Sequence, residues 1–324
     1  MKKTLYICIC FLSFGNLKLF TQIEEMIIPS DLKQQTIITE PMTLRKGFFR
    51  AGISANFIMI DRLFNEDKKK DYVLGTNSYG KTWSYLLGLQ YGIIDRLQVS
   101  VRIPYANNQY FISTRITYPS INYDTILAFK TIGRGFGDIE AGFRCQVVTE
   151  SESFPSVTLG VYGVLPTGPK NPKNIKSDIE YDLPTGNGHA SLTADIMLKK
   201  ISYPYSLTLY GYYYYHFKGK KVMFPYEDAI EFKNGGVFSI TAGFGFHLND
   251  WIALVNDIGI LTHTENTYYY SQTVESPGGW DLTYQPSVYF QIRKFRFFEI
   301  IQIPLLGKNG GADPIYSLNL QYIF

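Results

Sequence analysis

The segment that decides the fold is residues 95–105, Asp-Arg-Leu-Gln-Val-Ser-Val-Arg-Ile-Pro-Tyr. From Leu97 to Tyr105 every second residue is apolar or aromatic, and the residues between them are mostly polar. Successive side chains of a β-strand point to opposite faces, so this alternation predicts a strand with one apolar and one polar face. The preceding pair, Asp95-Arg96, interrupts the alternation and is typical of a tight turn.

The same alternation recurs along most of the chain and predicts about twelve strands. They cover approximately 47–60, 83–93, 97–107, 137–148, 156–168, 188–200, 203–217, 236–248, 251–262, 282–292, 295–305 and 314–324. Two of these segments are less regular. In 251–262 the alternation breaks at Asn256-Asp257, and in 295–305 the face of Glu299 is undetermined, which a β-bulge would explain.

The connections between the predicted strands alternate in length. Short links are expected at Asp95-Arg96, 149–155, 201–202, Asn249-Asp250 and Arg293-Lys294. Long connections are expected at 61–82, 108–136, 169–187, 218–235 and 263–281, with a shorter one at 306–313. Bacterial outer-membrane barrels have short periplasmic turns on one rim and longer extracellular loops on the other. The pattern therefore predicts an all-β, antiparallel up-and-down transmembrane β-barrel in the bacterial outer membrane. A soluble β-sandwich is the alternative, although its Greek-key crossings would not produce this regularity.

Aromatic residues at strand ends also favour a membrane barrel. They are Tyr85, Tyr91, Tyr105, Tyr205, Trp251, Tyr284 and Tyr322. Such residues form girdles at the two membrane interfaces. The chain stops at Phe324 on the apolar face of its last strand. This ending resembles the signal read by the outer-membrane barrel insertion machinery, which we expect to be a partner together with outer-membrane lipid and lipopolysaccharide.

Composition excludes several other classes of protein. The chain has 324 residues, a formal charge of +3 and 16% aromatic residues. No apolar stretch reaches the roughly 18 residues that a membrane-spanning helix needs. Cys8 and Cys10 leave Cys145 without a disulfide partner, so a disulfide scaffold is excluded. The balanced charge argues against nucleic-acid binding, and the aromatic content argues against disorder.

The N-terminus predicts export. Met1-Lys2-Lys3 followed by the apolar run Thr4–Phe14 is typical of a signal peptide, and we expect processing to remove residues 1–22. Residues 23–46 are then either a periplasmic segment or a plug inside the lumen. The plug hypothesis comes from the apolar pairs in this stretch, which a solvated tail does not need. Residues 47–324 form the predicted barrel.

Three stretches resemble the family of outer-membrane barrels named for the MetA pathway of phenol degradation. They are Tyr91–Tyr105, Gly135–Arg144 and Val164–Gly168, with a weaker match at Gly186–Gly188. The resemblance implies a transporter-type barrel for small molecules, hydrophobic or aromatic ones among them. Each stretch also has a simple structural explanation, because it contains residues that start strands or make turns.

The polar faces of the predicted strands supply the candidate functional residues. By parity, the side chains that line the lumen and a ligand path are Arg50, Arg102, Asp138, Glu140, Arg144, His189, Asp195, Tyr210, Tyr212, His216, His247 and Asp257. Charges of both signs could form a selectivity filter, or they could fill the lumen with salt bridges. The tyrosines could contact an aromatic ligand, or the run Tyr212–Tyr215 could belong to the outer girdle.

These observations predict a channel or transporter for small molecules, without enzyme activity, cofactor or metal. The alternative is a structural or surface-interaction barrel with a filled lumen and functional loops. A minor alternative is an outer-membrane phospholipase that uses His189 and Ser191. Its spacing is correct, but parity puts Ala190 and Leu192 on the lipid face, and the sequence offers no residue to orient His189. The four histidines have no metal-ligand spacing.

Overall fold

The computed structural model describes residues 43–65, 68–70, 79–118, 123–170, 175–177, 180–182, 184–221, 229–249, 251–269 and 273–324. The predicted signal peptide, 1–22, and most of the segment 23–46 lie outside the described residues. Within the described part of the chain no helix is long and apolar enough to cross a membrane.

Twelve antiparallel strands form the wall of a closed barrel. They are β1 (Phe49–Ile60), β2 (Tyr79–Ile94), β3 (Leu97–Tyr118), β4 in two segments (Tyr123–Phe136 and Ile139–Val148), β5 (Ser156–Leu165), β6 (Ser191–Ser202), β7 (Tyr205–His216), β8 (Val237–His247), β9 (Ile252–His263), β10 (Gly279–Ile292), β11 (Phe295–Lys308) and β12 (Ile315–Ile323). Each strand pairs with the next, and β12 pairs with β1 from Arg50↔Ile323 to Ile58↔Ile315. This last pairing leaves the sheet without free edges, so the predicted twelve-stranded barrel is confirmed.

Apolar side chains cover the outside of the barrel. Leu192 and Ile196 on β6 are 45% and 44% exposed, whereas Ser191, Thr193 and Asp195 on the same strand are buried. A closed sheet with an apolar outer face and a polar inner face is the architecture of a transmembrane barrel. The alternation seen in the sequence therefore separates the lipid face from the lumen.

One predicted loop is wrong. Residues 108–136 were expected to be a long connection, but the structure continues β3 to Tyr118 and starts β4 at Tyr123. The two strands pair from Tyr105↔Phe136 to Tyr118↔Tyr123, beyond the end of β5 at Leu165. The hairpin therefore rises above the neighbouring wall. The sequence analysis missed it because Asn107, Asn108 and Gln109 interrupt the alternation after Tyr105.

The two irregular segments also have definite structures. Strand β9 keeps its parity: Asp257 faces inward, and Asn256 faces outward and accepts a hydrogen bond from the Tyr284 hydroxyl at 2.5 Å. In β11 the bulge lies at Leu305, since Pro304 pairs with Thr283 and Leu306 with Leu282. Glu299 is exposed on the outer face between Val288 and Leu318.

Short strands extend the barrel on its long-loop side. Leu63–Asn65, Lys68–Lys70 and Gly310–Gly311 form one small sheet, and Gly219–Lys221, Ile230–Lys233, Asn266–Tyr269 and Thr273–Ser276 form another. Ile175–Ser177 and Glu180–Asp182 extend β4. On the short-link side, the turn predicted at 201–202 lies instead at Tyr203-Pro204, because β6 runs to Ser202.

The chain before β1 folds over the inner wall at the short-link end. The Leu44 amide donates to Gln98 Oε1 at 2.8 Å, and Thr43 Oγ1 donates to the Asp95 carbonyl at 3.1 Å. Thr43 and Leu44 are both buried. A side chain at Gly92 would collide with the backbone of Leu44 and Arg45, so this close approach requires glycine. Residues 43–45 therefore cover part of the lumen opening.

Candidate functional site in the barrel lumen

The structure places the twelve predicted lumen residues on the polar side of the wall. Eight are buried, namely Arg50, Asp138, Arg144, His189, Asp195, Tyr210, His247 and Asp257. Four are partly exposed, namely Arg102, Glu140, Tyr212 and His216. Their role in a ligand path remains a prediction. The tyrosines of β7 lie on both faces of the strand. Tyr210 is buried on the inner face, and Tyr213 is 48% exposed on the outer face.

A buried ion pair joins β4 and β6 on the inner face of the wall. Arg144 Nη2 donates to Asp195 Oδ2 at 2.8 Å, and both side chains are 2% exposed. Strand β5 separates the two residues, and Gly160 is the register partner of both. A Cβ at Gly160 would lie 2.6 Å from Asp195 Oδ1. Because Gly160 has no side chain, Arg144 of β4 and Asp195 of β6 can form a salt bridge across β5.

Tyr162 lies beside this pair and contacts both arginines of the layer. Its ring centroid is 5.8 Å from the Arg144 guanidinium and 5.4 Å from that of Arg102. A Cβ at Gly142 would come within 2.5 Å of the ring, so a second glycine makes room for it. Arg102 Nη1 in turn donates to Glu140 Oε1 at 2.7 Å. Each arginine of this layer is thus neutralised by a carboxylate, and both arginines contact the same ring, that of Tyr162.

Several lumen residues escaped the sequence analysis. Lys199 is buried on β6 and attracts Asp257 electrostatically. Extending the alternation of inward and outward residues to the end of β6 would have predicted that Lys199 faces the lumen. Phe298 and Ile300 pack inside against Tyr289. They were missed because β11 carries apolar residues on both faces, which hides the alternation.

The two sides of the lumen differ in side-chain size. The wall formed by β12, β1 and β2 carries small, partly exposed residues, which are Gly52, Ser54, Ser84, Gly88 and Ser317. Gly52 is the register partner of Gly88. The opposite wall carries large buried residues such as Met197, which is fully inaccessible, and Tyr210. The wall of β12, β1 and β2 also carries the buried Arg50 and Asn319, but its small residues are more accessible than the large side chains on the opposite wall.

Asp138 holds together two loops with the same sequence, Leu-Pro-Thr-Gly, at 165–168 and 183–186. Its Oδ1 accepts from the Gly168 amide at 2.9 Å, and its Oδ2 accepts from the Asn187 amide at 2.6 Å. A Cβ at Gly168 would lie 2.7 Å from Gly186 Cα. The motifs that carry the family resemblance therefore meet in space and fix the break between the two segments of β4.

A second carboxylate organises the rim where β1 ends and β12 begins. Asp313 Oδ2 accepts from the Asp61 and Arg62 amides, each at 2.8 Å, and Oδ1 accepts from Arg62 Nε at 3.0 Å. Burial acts to raise the pKa of Asp313, but these hydrogen bonds outweigh it and hold the pKa below its ordinary value. The ionised carboxylate therefore fastens the seam that closes the barrel.

His189, Ser191 and His216 meet at the long-loop end of the lumen. Ser191 Oγ is 3.1 Å from His189 Nδ1 and 2.9 Å from His216 Nδ1. Asn234 Nδ2 is 3.0 Å from His189 Nε2, so the structure supplies the orienting residue that the sequence did not reveal. Ser191 faces the lumen and not lipid, as parity indicated, which does not favour a phospholipase acting at the outer surface. Among the described residues no group of three or more ligand-type side chains could hold a metal.

Comparison with solved structures shows the fold. An outer membrane channel from Pseudomonas putida F1 superposes with a TM-score of 0.66 at 13% identity, covering 90% of this chain and 100% of that chain. The monoaromatic hydrocarbon channel CymD gives 0.47 at 9% identity, covering 92% of each chain. The translocator domain of the autotransporter NalP from Neisseria meningitidis gives 0.44 at 9% identity, covering 86% and 89%.

Identities this low establish the fold alone. At that level the predicted β-barrel fold is confirmed, and the family resemblance is confirmed only as far as this fold. No protein-family model matches the chain, and a search of curated proteins finds no match.

Proposed function

We propose that this protein is an outer-membrane channel for small solutes, hydrophobic or aromatic ones in particular. The observation that carries the proposal is the asymmetric lumen, in which a small-residue wall faces a wall of buried large side chains. Solutes would pass along the wall of β12, β1 and β2 and pass the layer that contains Tyr162 and its two arginines. The fold likeness to an outer membrane channel is consistent with this role.

The preference for aromatic solutes follows from the chemistry of that layer. Arg144 and Arg102 are each paired with a carboxylate, so the layer offers mixed charge without a strong net field. Tyrosine rings there present flat apolar surfaces, and aromatic pairs contribute roughly 0.5–1.5 kcal/mol beyond buried area. A planar ring that contacts the accessible edge of Tyr162, which is 4% exposed, would therefore be selected over an aliphatic ring of similar size.

Swelling of proteoliposomes tests the proposal. We expect the refolded protein to pass benzoate several-fold faster than cyclohexanecarboxylate, because the two anions share charge and approximate size and differ in aromaticity. Glucose and glycine complete the panel, and protein-free liposomes give the background. Equal rates for the two ring acids would contradict the aromatic preference, and zero flux for every solute would contradict the channel.

A structural barrel with functional loops is the second candidate. It is favoured by the near-complete burial of lumen side chains such as Thr158 and Met197, both 0% exposed. Zero flux for all solutes, together with binding to cells or matrix that is lost on loop deletion, would establish this candidate instead. Contacts with lipopolysaccharide, and contacts of Phe324 with the insertion machinery, remain proposals in either case.

We also propose that the N-terminal segment restricts the lumen from the short-link end. The support is the burial of Thr43 and Leu44 against the inner wall at Gln98. Deletion of residues 23–46 is expected to raise single-channel conductance in planar bilayers, because it removes the buried Thr43 and Leu44. Deletion of residues 115–126, part of the raised β3–β4 hairpin, is the control, because it also shortens the chain but leaves the N-terminal segment intact. Unchanged conductance in the N-terminal deletion would refute the restriction.

A further inference from the structure

Four polar side chains converge at the long-loop end of the lumen, apart from the buried ion pair of β4 and β6. Ser191 opens β6 and is the register partner of His216 at the end of β7. His189 precedes Ser191 by two residues, and Asn234 reaches the cluster from the segment before β8. Ser191 and His189 are 4% and 2% exposed, whereas His216 is only half-buried. Ser191 and His189 therefore form the buried side of the cluster, and His216 forms the side that is open to the lumen.

The hydrogen bonds assign a role to each histidine. His189 Nδ1 is 3.0 Å from the Ala190 carbonyl, which only accepts, so this nitrogen carries a proton. His189 Nε2 is then the acceptor for Asn234 Nδ2 at 3.0 Å. The single Nδ1 proton of His189 is shared between the Ala190 carbonyl and Ser191 Oγ, so the Ser191 hydroxyl proton points to His216 Nδ1 at 2.9 Å. His216 is thus placed as the base for Ser191, and His189 as the donor that stabilises negative charge on Oγ.

The surroundings fix His189 and leave His216 accessible. Phe232 is fully buried and packs its ring 5.5 Å from His189. A Cβ at Gly219 would lie 2.6 Å from the Gly188 carbonyl, so glycine lets this strand approach the cluster closely. On the open side, the Tyr214 ring lies 5.0 Å from the His216 ring. A flat acyl group that stacks on Tyr214 would bring its carbonyl next to Ser191.

We propose that Ser191 is a nucleophile that cleaves small aromatic carboxylic esters in the mouth of the barrel. The inference goes beyond the proposed channel function and requires only that esters reach the mouth. Ser191 Oγ bonds to the ester carbonyl carbon while its proton passes to His216 Nδ1. The carbon–oxygen bond to the leaving alcohol breaks, and the alcohol takes that proton. Water then attacks the acyl-serine, gives its proton to His216, and releases the carboxylic acid as the proton returns to Oγ.

Phosphonylation by a fluorophosphonate probe tests the nucleophile directly. We expect the folded full chain in detergent to be labelled, with the modification mapped to Ser191 by mass spectrometry, and Ser191→Ala to remove it. His216→Ala is expected to slow labelling by about 100-fold, as loss of a general base does. Ser287→Ala is the matched control, because Ser287 is also buried on the inner face and its Oγ donates to the Val255 carbonyl. Heat-dependent gel migration verifies that each variant is folded.

Hydrolysis of p-nitrophenyl benzoate supplies a second readout. We expect turnover by the native chain and by Ser287→Ala, and none by Ser191→Ala. Asn234 is a positioning residue, so Asn234→Ala is expected to shift the pH profile of labelling while Ser191 remains labelled. A folded native chain that is neither labelled at Ser191 nor active on the ester would overturn the proposal. Benzoate flux is measured separately, so failure of the channel and failure of the esterase are distinguishable.

Discussion

Asp195→Asn is expected to lower the free energy of unfolding by about 3–5 kcal/mol, the range found when one partner of a buried ion pair is removed. Asp195 and Arg144 are both 2% exposed, so the amide would leave a guanidinium in the lumen without its counter-ion. Urea unfolding in detergent micelles, followed by tryptophan fluorescence, measures the loss. Replacing both partners with apolar residues, as Arg144→Met with Asp195→Leu, is expected to recover most of it.

The matched control is Glu140→Gln in the neighbouring pair. Arg102 and Glu140 are 25% and 17% exposed, and their ion pair is more accessible to water than that of Arg144. The same acid-to-amide change there is expected to cost about 1 kcal/mol or less. Equal losses at Asp195 and Glu140 would show that water screens both pairs alike and would contradict the burial of the Arg144–Asp195 pair.

Tyr162→Ala is expected to increase single-channel conductance about twofold or more, because it removes the largest side chain from the layer that contains both arginine pairs. The ring packs over Gly142 and contacts two guanidinium groups, so its loss is expected to widen the lumen at this layer. Recordings in planar bilayers at fixed salt measure the change. The benzoate preference in the swelling assay is expected to fall in the same variant.

Tyr213→Ala provides the control for this experiment. Tyr213 lies on the lipid face of β7, where it is 48% exposed, and the same truncation there leaves the lumen unchanged. Its conductance is expected to match that of the native chain. If Tyr162→Ala and Tyr213→Ala conduct alike, solutes do not pass the Tyr162 layer, and the proposed path is wrong.

The strand pattern was predictable because it is local. A residue's face depends on its position within its own strand, so His247, Asp257 and Tyr212 could be placed on the inner face without knowledge of any partner. Reasoning from alternation failed in β11, where both faces of the strand carry apolar residues. Phe298 and Glu299 illustrate this: an apolar residue faces the lumen and a charged residue faces outward, against the usual pattern.

Contacts between strands were not predictable in the same way. Arg144 finds Asp195 because Gly160 is level with both in the barrel register, and Asn234 reaches His189 across 45 residues of sequence. Neither contact can be predicted from a short stretch of sequence. The identical loops that converge on Asp138 are a partial exception, since their repetition is visible in the chain although their contact is not.

The number of strands and the apolar exterior of the barrel could be predicted from the sequence, because side-chain direction in a strand follows from its two-residue period. The contacts of Tyr162 with two paired arginines and of Ser191 with two histidines became apparent only in the folded barrel. Closing the sheet fixes the register of every strand against its neighbours. The register, which no single strand encodes, sets which inward side chains meet.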